Sequence, residues 1–203
     1  MPSFHDFRFL STDGKHNVFA RECTPDGEVR AVLQIAHGVA EHIYRYAPFM
    51  EFLAENGFVV VANDHLGHGK TAENEQELCF FAEKDGWNDV VSDMDTLHKL
   101  TAAKYPDVPY FLFGHSMGSF LTRTYIIDHP EGLKGVVISG TGQNPGAVIA
   151  AGKLMAKLEM IDNGPMYHSP TLDKLAFGSY NKKYDHVRTK LDWLTRDEAV
   201  VAA

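Results

Sequence analysis

A serine flanked by glycines is the part of this sequence best suited to covalent chemistry. The pentapeptide Gly114-His115-Ser116-Met117-Gly118 has the pattern G-x-S-x-G and lies between a predicted strand, Tyr110–Phe113, and a predicted helix that begins near Met117. So sharp a turn needs glycine on both sides, and it leaves the serine in a strained backbone conformation that exposes its Oγ. The pattern predicts that Ser116 is a nucleophile. The alternative is an ordinary serine in a glycine-rich loop.

A second polar turn lies where such a nucleophile would need hydrogen-bond donors. The residues from His37 to His42 follow the apolar run Ala31–Ala36, and open α/β sheets bind ligands at the carboxyl ends of parallel strands. Backbone N–H groups of this turn, with that of Met117, are suited to stabilising an oxyanion. A His-Gly turn is common after strands, but together with the serine turn it predicts an oxyanion hole.

A third turn contains Asp64, His65 and His68 and follows the apolar run Phe58–Ala62. Metal binding is one hypothesis for these side chains. Their spacing does not put them on one face of a helix, no fourth ligand lies nearby, and the two glycines of the segment, Gly67 and Gly69, indicate a tight loop. The sequence therefore favours a structural loop that braces the site.

The three turns require strands that end at one edge of a sheet. Apolar runs precede each turn, as in parallel strands that are covered on both faces, and strand and helix alternate along the chain, which indicates right-handed crossovers. The chain begins with a predicted hairpin, Phe4–Leu10 and Val18–Thr24, and a further strand is predicted at Gly135–Ser139. The predicted helices cover Ala47–Ala54, Trp87–Leu100, Met117–Tyr125 and Val148–Ile161, and a last one begins at Leu191.

The composition excludes several classes of protein. The 203 residues are 44% hydrophobic and 23% charged, which is typical of a folded globular chain. The formal net charge of −8 argues against nucleic acid as a partner. Two cysteines make no disulfide framework, and no secretion signal is present, so we expect a cytoplasmic protein. The longest clean apolar run is far shorter than the roughly 20 residues of a membrane span.

Four segments together resemble the monoacylglycerol lipase and lysophospholipase group of α/β-hydrolases, which is also classed with serine aminopeptidase-like hydrolases. They are Ala36–His42 with Arg45-Tyr46, Asn63–Gly69, Gly114–Gly118 and Asp192–Glu198. The resemblance implies the α/β-hydrolase fold, a mostly parallel sheet with helices on both faces. It also implies that Ser116 is the nucleophile and that the amides of Val39 and Met117 form the oxyanion hole.

The resemblance divides the chain into three parts: residues 1–141 as the amino-terminal part of the core, 142–191 as a helical cap inserted after the sixth strand, and 192–203 as the start of the return to the core. In the family the cap is an apolar lid over an acyl-chain tunnel. The helix Val148–Ile161 suits that role, although a helix that packs only for stability would look similar. The resemblance also implies that the last two strands of the fold lie outside this chain.

A serine nucleophile of this fold needs an acid and a histidine to complete its catalytic triad. In this fold the order is serine, then Asp or Glu, then histidine, and the histidines that follow Ser116 are His129, His168 and His186. The rise of a helix places His129 on the order of 20 Å from Ser116, and the other two fall in the predicted cap. The triad Asp and His are therefore expected outside this chain, which we expect to be inactive alone. A substitute base in the cap is the alternative.

The resulting hypothesis is a serine hydrolase that cleaves esters of monoacylglycerol- or lysophospholipid-like substrates, without a cofactor or metal. The alternative is a non-catalytic truncated module that binds an apolar ligand or a partner chain. Two further hypotheses concern partners: transient membrane-surface contact through the cap, and complementation of the exposed sheet edge at Gly135–Ser139 by another chain.

Overall fold

Six strands and six α-helices form the part of the chain covered by the computed structural model, which describes residues 1–189 and 192–202. The strands are β1 (Ser3–Leu10), β2 (Asn17–Thr24), β3 (Ala31–Ala36), β4 (Phe58–Asn63), β5 (Tyr110–His115) and β6 (Leu133–Ser139). The helices are α1 (Ala47–Glu55), α2 (Gly86–Lys104), α3 (Met117–Asp128), α4 (Gly146–Asn163), α5 (Pro170–Phe177) and α6 (Glu198–Ala202). The predicted strands and the first four predicted helices are confirmed to within a few residues at their ends.

The strands form one sheet in the order β1-β2-β4-β3-β5-β6. β2 pairs antiparallel with β1 and with β4, whereas the pairs β3–β4, β3–β5 and β5–β6 are parallel. The mostly parallel sheet is thus confirmed. Because β3, β4 and β5 are parallel neighbours, the three polar turns that follow them meet at one edge, and Ala36 of β3 lies opposite Gly114 of β5.

Helices cover both faces of the sheet. Alternate side chains of a strand point to opposite sides, so neighbouring residues of one strand contact different helices. Val60 of β4 packs in a cluster with Met50 of α1. Its neighbours Val59 and Val61 pack in another cluster with Leu97 of α2. All six residues of β3 are buried, as expected for a strand covered on both faces.

β6 is the last strand of the sheet in the described part of the chain, with β5 as its partner. Its side chains are poorly covered: Val137 is 51% and Ile138 is 39% exposed. An apolar edge of this kind can pair with a further strand, and its complementation by another chain stays a prediction.

The chain divides into two compact units, residues Met1–Gln143 and Asn144–Ala203. The second unit contains α4, α5 and α6 and no strand among its described residues. No described helix is both long and apolar enough to cross a bilayer. The predicted end of the cap at Leu191 falls on a residue that is not described, so the boundaries at 141 and 191 stay predictions.

The prediction of a helix from Leu191 onward is wrong for residues 192–197, and α6 begins only at Glu198. Asp197 marks the start of α6, because its Oδ1 accepts the Ala199 N–H at 2.9 Å, as the side chain of an N-cap residue does.

Asp93 of α2 holds the turn between β1 and β2 against the core. Its buried carboxylate accepts hydrogen bonds from the Ser11 hydroxyl at 2.7 Å and from Thr12 N–H at 2.7 Å, and burial raises its pKa. We expect Asp93→Ala to lower the free energy of unfolding by about 3 kcal/mol, because it leaves buried donors without an acceptor. Urea titration measures the loss. Asn88→Ala, at an exposed position of α2, is the control, and an equal loss in both variants would contradict the assignment.

Candidate active site

Ser116 lies at a strand-to-helix turn, after the end of β5 and directly before α3. Its backbone has φ 52° and ψ −118°, a left-handed conformation that non-glycine residues rarely adopt. The turn is held by the Ser116 N–H, which donates to Ser139 O at 2.9 Å, and by the Ser119 N–H, which donates to Ser116 O at 2.9 Å. The strained serine expected from the G-x-S-x-G pattern is confirmed.

Steric contacts explain why the pentapeptide has glycine at both of its ends. A Cβ on Gly114 would lie 2.8 Å from the Gly118 carbonyl carbon and would overlap the Thr122 hydroxyl. A Cβ on Gly118 would overlap the carbonyl of Ala36 and lie 2.7 Å from His37 O. The turn therefore packs directly on the backbone at the end of β3, which only glycine allows.

The second predicted turn lies beside the serine. A Cβ built on Gly38 would come within 3.1 Å of Ser116 Cβ and 2.8 Å of Glu41 Oε1, so the Gly38 backbone lies against Ser116. Within the described residues the Val39 N–H has no hydrogen-bond partner. Met117 is the first residue of α3, so its N–H has no acceptor inside the helix. The structure thus brings the serine turn and the His-Gly turn together.

Glu41 holds this turn in place. Its Oε1 accepts the Gly38 N–H at 2.6 Å and the Tyr46 hydroxyl at 2.7 Å, and Oε2 lies 3.6 Å from Arg45 Nε. Burial, with the charge of Glu41, raises the pKa of Tyr46, so the phenol keeps the proton that it donates. The sequence analysis gave Glu41 no role. A Glu three residues after a Gly whose N–H needs an acceptor is the local signal that was available.

His37 is a fully buried, neutral histidine. Its Nδ1–H donates to Gly38 O at 2.7 Å, and its Nε2 accepts the His65 N–H at 3.0 Å. Burial, together with the charge of His68, lowers the pKa of His37 to about 3. The His65 ring stacks on it with centroids 4.2 Å apart, and burial also lowers the pKa of His65. Both rings therefore stay uncharged at neutral pH.

Asp64 and His68 of the third turn have separate partners, whereas neither ring nitrogen of His65 has a hydrogen-bond partner within the described residues. Asp64 is buried and accepts the Ile43 N–H at 2.9 Å and the Lys70 N–H at 2.8 Å, and burial raises its pKa. His68 instead faces the carbonyls of Leu66 and Val39. No three His, Cys, Asp or Glu side chains in the described residues are arranged to hold a metal.

No histidine of the described residues forms a hydrogen bond with Ser116 Oγ. His115 lies 3.3 Å from the Ser139 hydroxyl. His129 follows α3 at its far end and lies 3.7 Å from Asp95 Oδ1. His168 and His186 are exposed in the second unit.

Comparison with known proteins agrees with this geometry. The structure of a thermostable carboxyl esterase from Bacillus coagulans, in complex with glycerol, superposes with a TM-score of 0.86 and 33% identity over 98% of this chain. Fold and sequence therefore define an α/β-hydrolase. A family model described as serine aminopeptidase, S33, matches residues 27–203. The chain belongs to that family.

Two curated relatives are lipases. Mouse monoglyceride lipase is 33% identical over 129 residues, which are 64% of this chain and 40% of that protein. The monoacylglycerol lipase of Mycolicibacterium smegmatis is 32% identical over 140 residues, which are 66% of this chain and 48% of that protein. The matched regions thus span about half the length of these relatives, and 64% of the esterase.

Proposed function

We propose that this chain is the nucleophile-bearing part of a serine hydrolase that cleaves carboxylic esters through an acyl-enzyme. The observation that carries the proposal is the left-handed backbone of Ser116 between β5 and α3, because a side chain on such a turn projects above the edge of the sheet. Ser116 Oγ adds to the ester carbonyl, the tetrahedral intermediate expels the alcohol, and water then hydrolyses the acyl-serine.

The oxyanion of that intermediate is bound by the amides of Val39 and Met117 in our proposal. Three features support it: the Gly38 backbone that packs against Ser116, the unpartnered Val39 N–H, and the position of Met117 at the start of α3. Such donors typically contribute about 3 kcal/mol each to the stabilisation of the transition state.

The general base and its carboxylate partner come, in this proposal, from sequence outside these 203 residues. Of the histidines downstream of the serine, His129 lies beyond α3 beside Asp95, and no described histidine contacts Ser116 Oγ. The order serine, acid, histidine is the order of this fold. We therefore expect the isolated chain not to turn over p-nitrophenyl esters.

The substrate class we propose is a monoacylglycerol- or lysophospholipid-like ester. The similarity to mouse monoglyceride lipase and to the esterase solved with glycerol supports a glycerol-bearing alcohol group. Residues 142–191 are proposed as the cap. The exposed apolar side chains of its long helix, among them Val148, Leu154 and Ile161, support transient contact with a membrane surface.

The nucleophile is tested with a fluorophosphonate probe on the protein expressed from the complete open reading frame. We expect labelling of the wild type and its loss in Ser116→Ala, with ester turnover reduced at least about 10⁴-fold. Ser92→Ala on α2 is the matched control and should be labelled like the wild type.

Equal labelling of wild type and Ser116→Ala would reject Ser116 as the nucleophile. Absence of labelling and of turnover in the wild type would instead favour a non-catalytic module. Turnover of p-nitrophenyl esters by the isolated 203-residue chain, lost in Ser116→Ala, would show that the base lies within it and would contradict its placement outside.

A further inference from the structure

In the turn after β3, each of three adjacent peptide groups forms a hydrogen bond with one side chain. The Gly38 N–H donates to Glu41 Oε1 at 2.6 Å, and Gly38 O accepts His37 Nδ1–H at 2.7 Å. Val39 O lies 2.8 Å from His68 Nε2. The Val39 N–H lies between these contacts and has no partner within the described residues. The Val39 N–H is thus held in place through its own peptide group and both neighbouring ones, beside Ser116.

We propose that His68 is a positioning residue for the oxyanion hole: its Nε2–H donates to Val39 O and fixes the direction of the Val39 N–H. The inference rests on the proposed function, since it assigns a role in the same reaction. His68 comes from the turn after β4, which the sequence favoured as a brace, and it is separated from Val39 by 29 positions in the chain.

His68 is itself rigidly placed, which a positioning residue requires. The residue is 3% exposed, and its Nδ1 lies 2.9 Å from Leu66 O. Its ring packs 5.2 Å from the His37 ring and 5.9 Å from the Phe81 ring. The loop that carries it is closed by the Asp64 carboxylate, which accepts the Lys70 N–H at 2.8 Å.

The hydrogen bonds constrain the protons of the ring. Both ring nitrogens of His68 face carbonyl oxygens, of Leu66 and of Val39. A carbonyl oxygen only accepts, so Nε2 must carry a proton to bind Val39 O, as in the Nε2–H tautomer or the imidazolium. The proposal therefore specifies a protonation state that can be observed directly.

Loss of this hydrogen bond should affect the transition state more than substrate binding. The Val39 N–H stabilises the reacting ester most strongly once the oxyanion has formed. A displacement of about 1 Å in a catalytic group can lower the rate about 100-fold. We expect His68→Ala to lower kcat by about 10- to 100-fold and to change KM by less than about threefold.

The experiment compares three variants of the protein expressed from the complete open reading frame. His68→Gln places an amide N–H near the position of Nε2 and should recover part of kcat. His98→Ala is the matched control, because His98 is equally buried in α2 and bonds Tyr125 OH at 2.6 Å through Nδ1. It should lower the melting temperature and leave kcat unchanged.

Wild-type kcat in His68→Ala, or equal losses of kcat in His68→Ala and His98→Ala, would overturn the proposal. If His68→Ala does not fold, ¹⁵N NMR of the wild-type ring decides: a protonated Nε2 supports the assignment and a bare Nε2 refutes it. Failure of the proposed function is distinguishable, since it would show as undiminished turnover in Ser116→Ala.

Discussion

Gly118→Ala should prevent the first unit from folding stably, with a loss of more than about 4 kcal/mol in the free energy of unfolding. In most helices this substitution would stabilise the chain by about 1 kcal/mol. Here the added Cβ would overlap the Ala36 carbonyl and lie 2.5 Å from its carbon and 2.7 Å from His37 O. All three atoms belong to the backbone at the end of β3, which is buried and paired on both sides, so none can move away cheaply.

The measurement is urea unfolding followed by the fluorescence of Trp87, which lies in the same unit as Gly118. Gly27→Ala is the control because a Cβ there meets nothing within 4 Å, and its stability should stay within about 1 kcal/mol of the wild type. A Gly118→Ala protein as stable as the Gly27→Ala protein would show that the serine turn does not pack on β3 as described.

The parts of this fold that the sequence predicts are those decided by local pattern. β3 and β4 read as apolar runs because both of their faces are covered, and Ala31–Ala36 has the same bounds in prediction and structure. The serine turn is equally local, since five consecutive residues contain both the strain at Ser116 and the glycines that allow it. Periodicity likewise predicts α2, although Trp87 and Leu100, the first and last residues of the predicted helix, are exposed.

The errors and omissions have two physical causes. One is local capping of helices: the Asp197 carboxylate accepts the Ala199 N–H, and α6 begins only at Glu198. The unpredicted helix α5 carried a start signal, because Ser169 caps the Leu172 N–H at 3.0 Å and Pro170 follows it. The surrounding loop-like composition obscured that signal.

The other cause is distance along the chain. His68 meets Val39 only after β3 and β4 have paired, and no spacing rule predicts that contact. The role of His37 depends on burial, which sets its charge state and is not visible in the motif. Sequence therefore locates the serine turn and the turn beside it, while the side chains that hold this second turn are identified only from tertiary packing.

Acidification should destabilise the chain from about pH 6.5 downward, because two buried histidines must stay neutral. Burial lowers the pKa of His37 to about 3, and that of His65 is also lowered. The unfolded chain takes up protons on both at about pH 6.5, whereas the folded chain does not. Stability is therefore fully present above that pH and decreases by about 1.4 kcal/mol per pH unit for His37, about 3 kcal/mol at pH 4.5.

Two buried carboxylates act in the opposite direction. The pKa values of Asp64 and Asp93 are raised by burial, so their contribution is fully present below the ordinary pKa of an Asp side chain and is lost as the pH rises through the folded pKa. Their effect spans a window that begins at lower pH than that of the histidines. Urea unfolding at about pH 7, 5.5 and 4.5 should show the decrease begin near the ordinary histidine pKa.

His37→Gln isolates the contribution of His37, since glutamine carries no titrating group. Between pH 7 and 4.5 the variant should lose about 3 kcal/mol less of its free energy of unfolding than the wild type loses. His5→Gln, at an exposed position of β1, is the control and should keep the wild-type pH dependence. An unchanged pH dependence in His37→Gln would contradict the neutral, buried state of His37.

Protonation of His37 would place a proton on Nε2 against the His65 N–H that this atom now accepts. Acid therefore breaks the contact between the two polar turns at the same ring that fixes Gly38 O, so the loss of stability and the loosening of the turn after β3 have one cause.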